Sequence, residues 1–111
     1  YIDQVMVIGD KKNFISALIV PSFDSLNSYM KLNNKDSLSN DALVEHPLIL
    51  DLIKAEIDET MKNFASYETV KKFVLLPRQF SIDKGEMTPK MSIVRKRVIQ
   101  NYNESIDSIY N

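Results

Sequence analysis

Apolar and polar side chains alternate at the start of the chain: Val5 and Val7 fall on one face of an extended segment, Met6 and Ile8 on the other. The pattern predicts a strand over Tyr1 to Ile8, and a strand that begins at the first residue implies further chain upstream. Gly9-Asp10-Lys11-Lys12-Asn13 is a polar turn, and Phe14-Ile15-Ser16-Ala17-Leu18-Ile19-Val20 is a nearly continuous apolar run that reads as a second strand stopped by Pro21. A five-residue loop between them predicts an antiparallel hairpin.

Beyond Pro21 the period lengthens to three or four. Phe23, Leu26 and Tyr29/Met30 lie along one face of a short helix with Ser22 as its N-cap, and Asn33-Asn34-Lys35-Asp36-Ser37 breaks the pattern. Ser39 to Val44 forms another turn of helix. After His46, Pro47 opens the strongest helix of the chain, at the first helical position, where a missing N–H costs nothing. That helix is expected to run to about Phe64, with Ile49, Ile53, Ile57, Met61 and Phe64 as its buried stripe and Lys54 paired with Asp58. Lys71 to Leu76 is a third strand ended by Pro77, and Phe80-Ser81-Ile82 is a short extended segment. The last helix starts near Met91 or Ser92 on the spacing of Met91, Val94, Val98, Tyr102, Ile106 and Ile109. These elements predict an α+β domain, a small sheet with an N-terminal antiparallel hairpin and about three to four helices packed on it.

At 111 residues the chain suits one domain, and 44% hydrophobic with 26% charged residues places it among folded globules rather than disordered chains. The formal net charge of −1 removes any overall attraction to nucleic acid, so binding of polyanions must come from local clustering. No cysteine is present, which excludes disulfides, thiolate metal sites and a thiol nucleophile within this chain. No apolar run approaches the roughly 18 residues of a membrane span. His46 is the only histidine and reads as the residue that starts a helix. The acid pairs Asp58/Glu59 and Asp36/Asp41 read as solvated faces, and no metal site is expected. Tyr29, Phe73, Phe80 and Tyr102 fall on core stripes.

One local cluster stands out. Lys90, Arg95, Lys96 and Arg97 follow Gly85 with no acid among them, at a turn that leads into a helix whose N-terminal amides add positive potential. Only two glycines occur in the chain, and Gly85 at this turn suggests a backbone requirement for positive φ. Two readings stand for the basic run: a polyphosphate site, or a solvated face whose long stems cover apolar surface.

The blocks Asp3 to Asp10, Phe14 to Pro21, and Gly85-Glu86-Met87-Thr88-Pro89 through Arg95 to Tyr102 together resemble the C-terminal domain of long-chain fatty acid CoA ligases, of the adenylate-forming AMP-binding superfamily. The resemblance spans essentially the whole chain. It implies that residues 1–111 are the mobile C-terminal domain of an acyl-CoA synthetase whose large N-terminal AMP-binding domain is absent here. It further implies ATP, fatty acid and CoA as substrates, Mg2+ in the full-length enzyme, no ligand on this fragment alone, and a cytoplasmic location, peripheral membrane association being the alternative.

In that family a lysine three positions before an arginine reaches into the adenylation site. Aligned on Thr88-Pro89 and Arg95, the lysine position holds Ser92, which cannot supply a charge. Lys90 is the candidate substitute: in extended backbone, residues 90 and 92 share a face about 6.5 Å apart. If the helix starts at Lys90, the two side chains diverge by about 200° and the substitution fails. Arg95 matches the family arginine, with a role in positioning the loop by charge pairing or in phosphate contact. Lys96 and Arg97 either attract the nucleotide end of CoA or are solvated surface. A non-catalytic regulatory or polyanion-binding module that keeps the fold is the other function class, and the missing lysine supports it.

Overall fold

A computed structural model describes residues 1–9, 12–63 and 69–110. The expectations for Asp10, Lys11 and Phe64 lie outside these residues. In order, the elements are β1 (Ile2–Ile8), β2 (Ile15–Pro21), α1 (Phe23–Leu32), α2 (Asn40–Leu43), α3 (Pro47–Met61), β3 (Val70–Leu75), α4 (Arg95–Asn101) and α5 (Asn103–Tyr110).

The strands form one sheet in the order β1-β2-β3, with β1 antiparallel and β3 parallel to β2. Register is set by burial, because a slip of one residue would turn every apolar side chain outward. Met6 and Ile8 are 3% and 5% exposed, while Val5 and Val7 on the opposite face are 46% and 43% exposed. β2 is buried on both faces. Leu18 and Val20 join Met6, Ile8, Leu76, Phe80, Met87, Val98, Ile106 and Ile109 in one core, which α4 and α5 cover. Ala17 and Ile19 join Leu75, Leu26, Met30, Leu43, Ile49 and Ile53 in a second core under α1 to α3.

Local chemistry explains most boundaries. Nδ1 of His46 accepts a hydrogen bond from Leu48 N–H at 3.1 Å, so it caps the helix that Pro47 opens. The Oγ of Ser39 likewise accepts from Ala42 N–H. Ser22 stands at the N-cap of α1, but its hydroxyl pairs with the Ser25 hydroxyl at 3.0 Å instead of a backbone N–H. Asn34, at φ 59, turns the chain after α1. Lys54 and Asp58 pair at 3.0 Å, and Glu59 pairs with Lys62.

Three expectations are corrected. Phe80-Ser81-Ile82 forms no strand: Phe80 is buried and Ile82 begins a turn that Gly85 N–H closes onto its carbonyl at 2.9 Å. Pro21 ends β2 from inside, as its last residue paired with Ile2. The single C-terminal helix is two, α4 and α5, because Tyr102 leaves helical backbone at φ −113 and ψ 25, so five helices are present among the described residues.

α3 carries one polar side chain where its apolar stripe calls for none. Glu56 borders the groove formed by Val5, Val7, Ile57 and Met61, and its Oε2 is buried without a hydrogen-bond partner among the described residues. An unsatisfied buried oxygen costs about 1–3 kcal/mol. Leucine at this position would extend the apolar wall of the groove. Glu56→Leu is therefore expected to stabilise this chain by about 1 kcal/mol, measured as a raised midpoint in urea unfolding with an unchanged slope.

Candidate functional site

The basic segment is a hairpin set on the sheet. Gly85 has φ +74, and a Cβ there would lie 3.2 Å from Nε of Arg97. Only glycine meets both demands without strain. Chain direction then reverses around Pro89 and Lys90. Met91 N–H bonds to the Thr88 carbonyl at 2.8 Å, Thr88 N–H bonds to the Ser92 carbonyl at 2.8 Å, and Met87 bridges Ile93 in antiparallel fashion. Ser92 N–H also donates to Oγ1 of Thr88 at 3.2 Å. Thr88 and Ser92 thus close a three-residue loop whose third member, Met91, has φ 67, the arrangement such loops favour.

This replaces the expected helix start. α4 begins at Arg95, and Met91 is 64% exposed instead of lying on the buried stripe. Lys90 and Ser92 stand neither on one extended face nor on a helix. Both are exposed, and Met91 with its positive φ separates them.

Arg95 anchors the hairpin. Its Nη1 donates to the carbonyl of Val7 at 2.8 Å, on the edge strand β1. No ion pair among the described residues includes Arg95. An edge-strand carbonyl serves as the acceptor instead. Lys96 is exposed, and Arg97 is exposed with its guanidinium stem lying over Gly85. Among the described residues no three His, Asp or Glu side chains converge on a metal position, and no helix is long and apolar enough to cross a membrane.

The side chains that hold the hairpin's base escaped the reading of the sequence. Glu86 is 1% exposed, and its Oε1 and Oε2 accept from Ser81 N–H and from Nδ2 of Asn101, each at 2.9 Å. Gln4 accepts from Phe80 N–H at 3.0 Å and donates to the sulfur of Met87 at 3.3 Å. Glu86 is the one acid at the head of the basic run, immediately after the positive-φ glycine, and that was the available signal. Tyr102 packs edge-on against Phe80 and lines an open cleft with Arg78, Lys84, Glu86 and Asn101. Burial raises the pKa of its hydroxyl above the usual tyrosine value, the negative charge of Glu86 adds to this, and Arg78 opposes it.

Gly85→Ala is expected to destabilise the domain by about 1–2 kcal/mol, through the cost of left-handed backbone at a residue with a Cβ. Guanidinium unfolding of the variant measures this. The raised Tyr102 pKa means that the unfolded state loses that proton first as pH climbs past the ordinary tyrosine value of about 10. Its contribution to stability is full below that pH and declines as pH rises toward the folded value. Tyr102→Phe should therefore reduce the loss of stability in that alkaline window, read by urea unfolding at stepped pH.

Residues 1–111 match the family model for the AMP-binding enzyme C-terminal domain. The chain is 33% identical over 111 residues to the long-chain-fatty-acid–CoA ligase FadD15 of Mycobacterium tuberculosis, covering 99% of this chain and 18% of that protein. It is 30% identical over 112 residues to the human long-chain-fatty-acid–CoA ligase 1, covering 96% of this chain and 16% of that one. This chain therefore spans less than a fifth of the length of these relatives. Among solved structures, the fold resembles part of the A-PCP didomain of the carboxylic acid reductase of Segniliparus rugosus in complex with AMP, with a TM-score of 0.74 at 18% identity over 98% of this chain and 14% of that one. The adenylation domain of the Mycobacterium chelonae carboxylate reductase matches with a TM-score of 0.66 at 24% identity, over 98% and 15% of the two chains. Residues 1–111, with their small mixed sheet and flanking helices, therefore belong to the AMP-binding enzyme C-terminal domain family.

Proposed function

We propose that this chain is the mobile C-terminal domain of an ATP-dependent long-chain fatty acid CoA ligase. The whole-chain match to the family and the ligase relatives support this reading, and the exposed cationic hairpin on an anchored base carries it. In the first half-reaction a fatty acid carboxylate oxygen attacks the α-phosphorus of ATP and pyrophosphate leaves. The thiol of CoA then attacks the acyl carbonyl of the adenylate and AMP leaves. The domain closes over its own N-terminal AMP-binding domain for the first step and rotates for the second. The isolated chain is inactive, and the full-length enzyme works in the cytoplasm or at a membrane surface.

Lys90, at the tip of the loop, supplies the mobile positive charge to the carboxylate and α-phosphate. Ser92, at the family lysine position, contributes a hydroxyl donor and no charge. Arg95 holds the loop through Val7, and Lys96 and Arg97 face the nucleotide end of CoA. In the full-length enzyme Mg2+ would accompany the phosphates of ATP, where it would offset part of their charge.

Lys90→Ala in the full-length enzyme should lower the rate of ATP–pyrophosphate exchange by about 10²-fold, the scale of losing one electrostatic donor. An unchanged exchange rate would remove Lys90 from the mechanism. Ser92 is the observation that favours a second reading, a non-catalytic polyanion-binding module. Salt-dependent binding of free CoA without any exchange activity in the full-length protein would establish that reading instead.

A further inference from the structure

We propose that Glu86 and Asn101 form a latch that fixes where the Lys90 hairpin stands, which makes Glu86 a positioning residue for adenylate formation. The inference rests on the ligase reading for its catalytic consequence and on the hydrogen-bond geometry for the latch itself.

Glu86 is 1% exposed, yet no ion pair among the described residues includes it. A carboxylate is costly to remove from water unless its oxygens are satisfied. Here N–H donors satisfy it: Ser81 N–H on Oε1 and Nδ2 of Asn101 on Oε2. The Asn101 amide also donates to the Lys84 carbonyl at 3.4 Å. Two acceptors on one side fix which way that amide points, since the flipped form would set its oxygen against both.

The pair is therefore selective for its own chemistry. A glutamine at position 86 could still accept from Ser81 N–H, but its NH2 group would then face the NH2 of Asn101. Donor would meet donor, and the contact would be lost at both partners.

The latch lies where it governs the hairpin. Glu86 N–H bonds to the Ser81 carbonyl at 2.9 Å, and its own carbonyl accepts from Val94 N–H at 2.8 Å. The two strands of the hairpin thus leave from Glu86 and Val94, and Asn101, the last residue of α4, holds the pair to that helix. Lys90 sits at the far end of this short lever. A displacement of about 1 Å at a reacting group can cost 10²-fold in rate, so the base must be fixed although the tip is free.

The test uses the full-length enzyme. Glu86→Gln should lower kcat of ATP–pyrophosphate exchange about tenfold with KM for ATP unchanged, the signature of lost positioning and not of lost substrate binding. It should also raise amide hydrogen exchange at Val94 about tenfold, because the base of the hairpin opens more often. The double variant Glu86→Gln/Asn101→Asp should recover part of both losses, since the new amide can donate to the new carboxylate while that carboxylate gives up the contact with the Lys84 carbonyl. Unchanged kcat and unchanged Val94 protection in the single variant would overturn the proposal. If Glu86→Gln does not fold by circular dichroism, Asn101→Ala replaces it: it keeps the acid, removes one donor, and should give losses in the same direction. If the wild-type enzyme shows no ATP–pyrophosphate exchange, the ligase reading falls, and the Val94 protection of the three variants still decides whether the latch exists.

Discussion

Every layer of this domain depends on β2 having water on neither side. From Ser16 to Pro21 its residues are all buried, and alternate side chains feed two separate cores. A fully buried aliphatic side chain contributes about 1.5–3 kcal/mol, so Leu18 and Val20 bind the sheet to α4 and α5 while Ala17 and Ile19 bind it to α1 to α3. The one polar residue of the strand is satisfied at its hydroxyl. Ser16, fully buried, shares a hydrogen bond of 2.8 Å with the Tyr110 hydroxyl, which also reaches the Phe14 carbonyl at 2.8 Å. The end of α5 is thereby tied to the start of β2, and Phe14 and Tyr110 stack with ring centres 4.6 Å apart.

The hairpin draws on the same core. Met87, its first bridging residue, is buried in the cluster that holds Val98 of α4, and Ile93 packs against it. Both ends of the loop are therefore held by apolar burial as well as by polar contacts. Glu86 and Arg95 add direction to that attachment, one toward α4 and the other toward β1. No ion pair among the described residues engages Lys90, Lys96 or Arg97 at the tip and on the exposed side of α4.

Elements whose cause is local were legible in the sequence. The hairpin of β1 and β2, the helix opened by His46 and Pro47, and the positive φ of Gly85 each follow from a few adjacent residues. Contacts between distant residues were not. Nothing near Val70 to Leu75 announces that this strand lies parallel to β2, and Glu86 meets Asn101 fifteen positions away. The start of the last helix misled for a definite reason: Met91, Val94 and Val98 happen to repeat at helical spacing, while Thr88-Pro89 begins a turn that removes Met91 from the helix. The Arg95 contact could not be read either, because a backbone carbonyl on an edge strand leaves no mark in the side-chain sequence.

The bond from Arg95 to Val7 has a further consequence for the sheet. A three-stranded sheet has two open edges, and each presents backbone groups that a strand from another molecule could pair with. On β3 the exposed Lys71 and Lys72 place charge along that edge, with Lys72 held over the Phe14 ring at 5.6 Å. On β1 the guanidinium of Arg95 occupies a carbonyl that an incoming strand would need. The arginine that anchors the hairpin thus also takes up part of the free edge of β1.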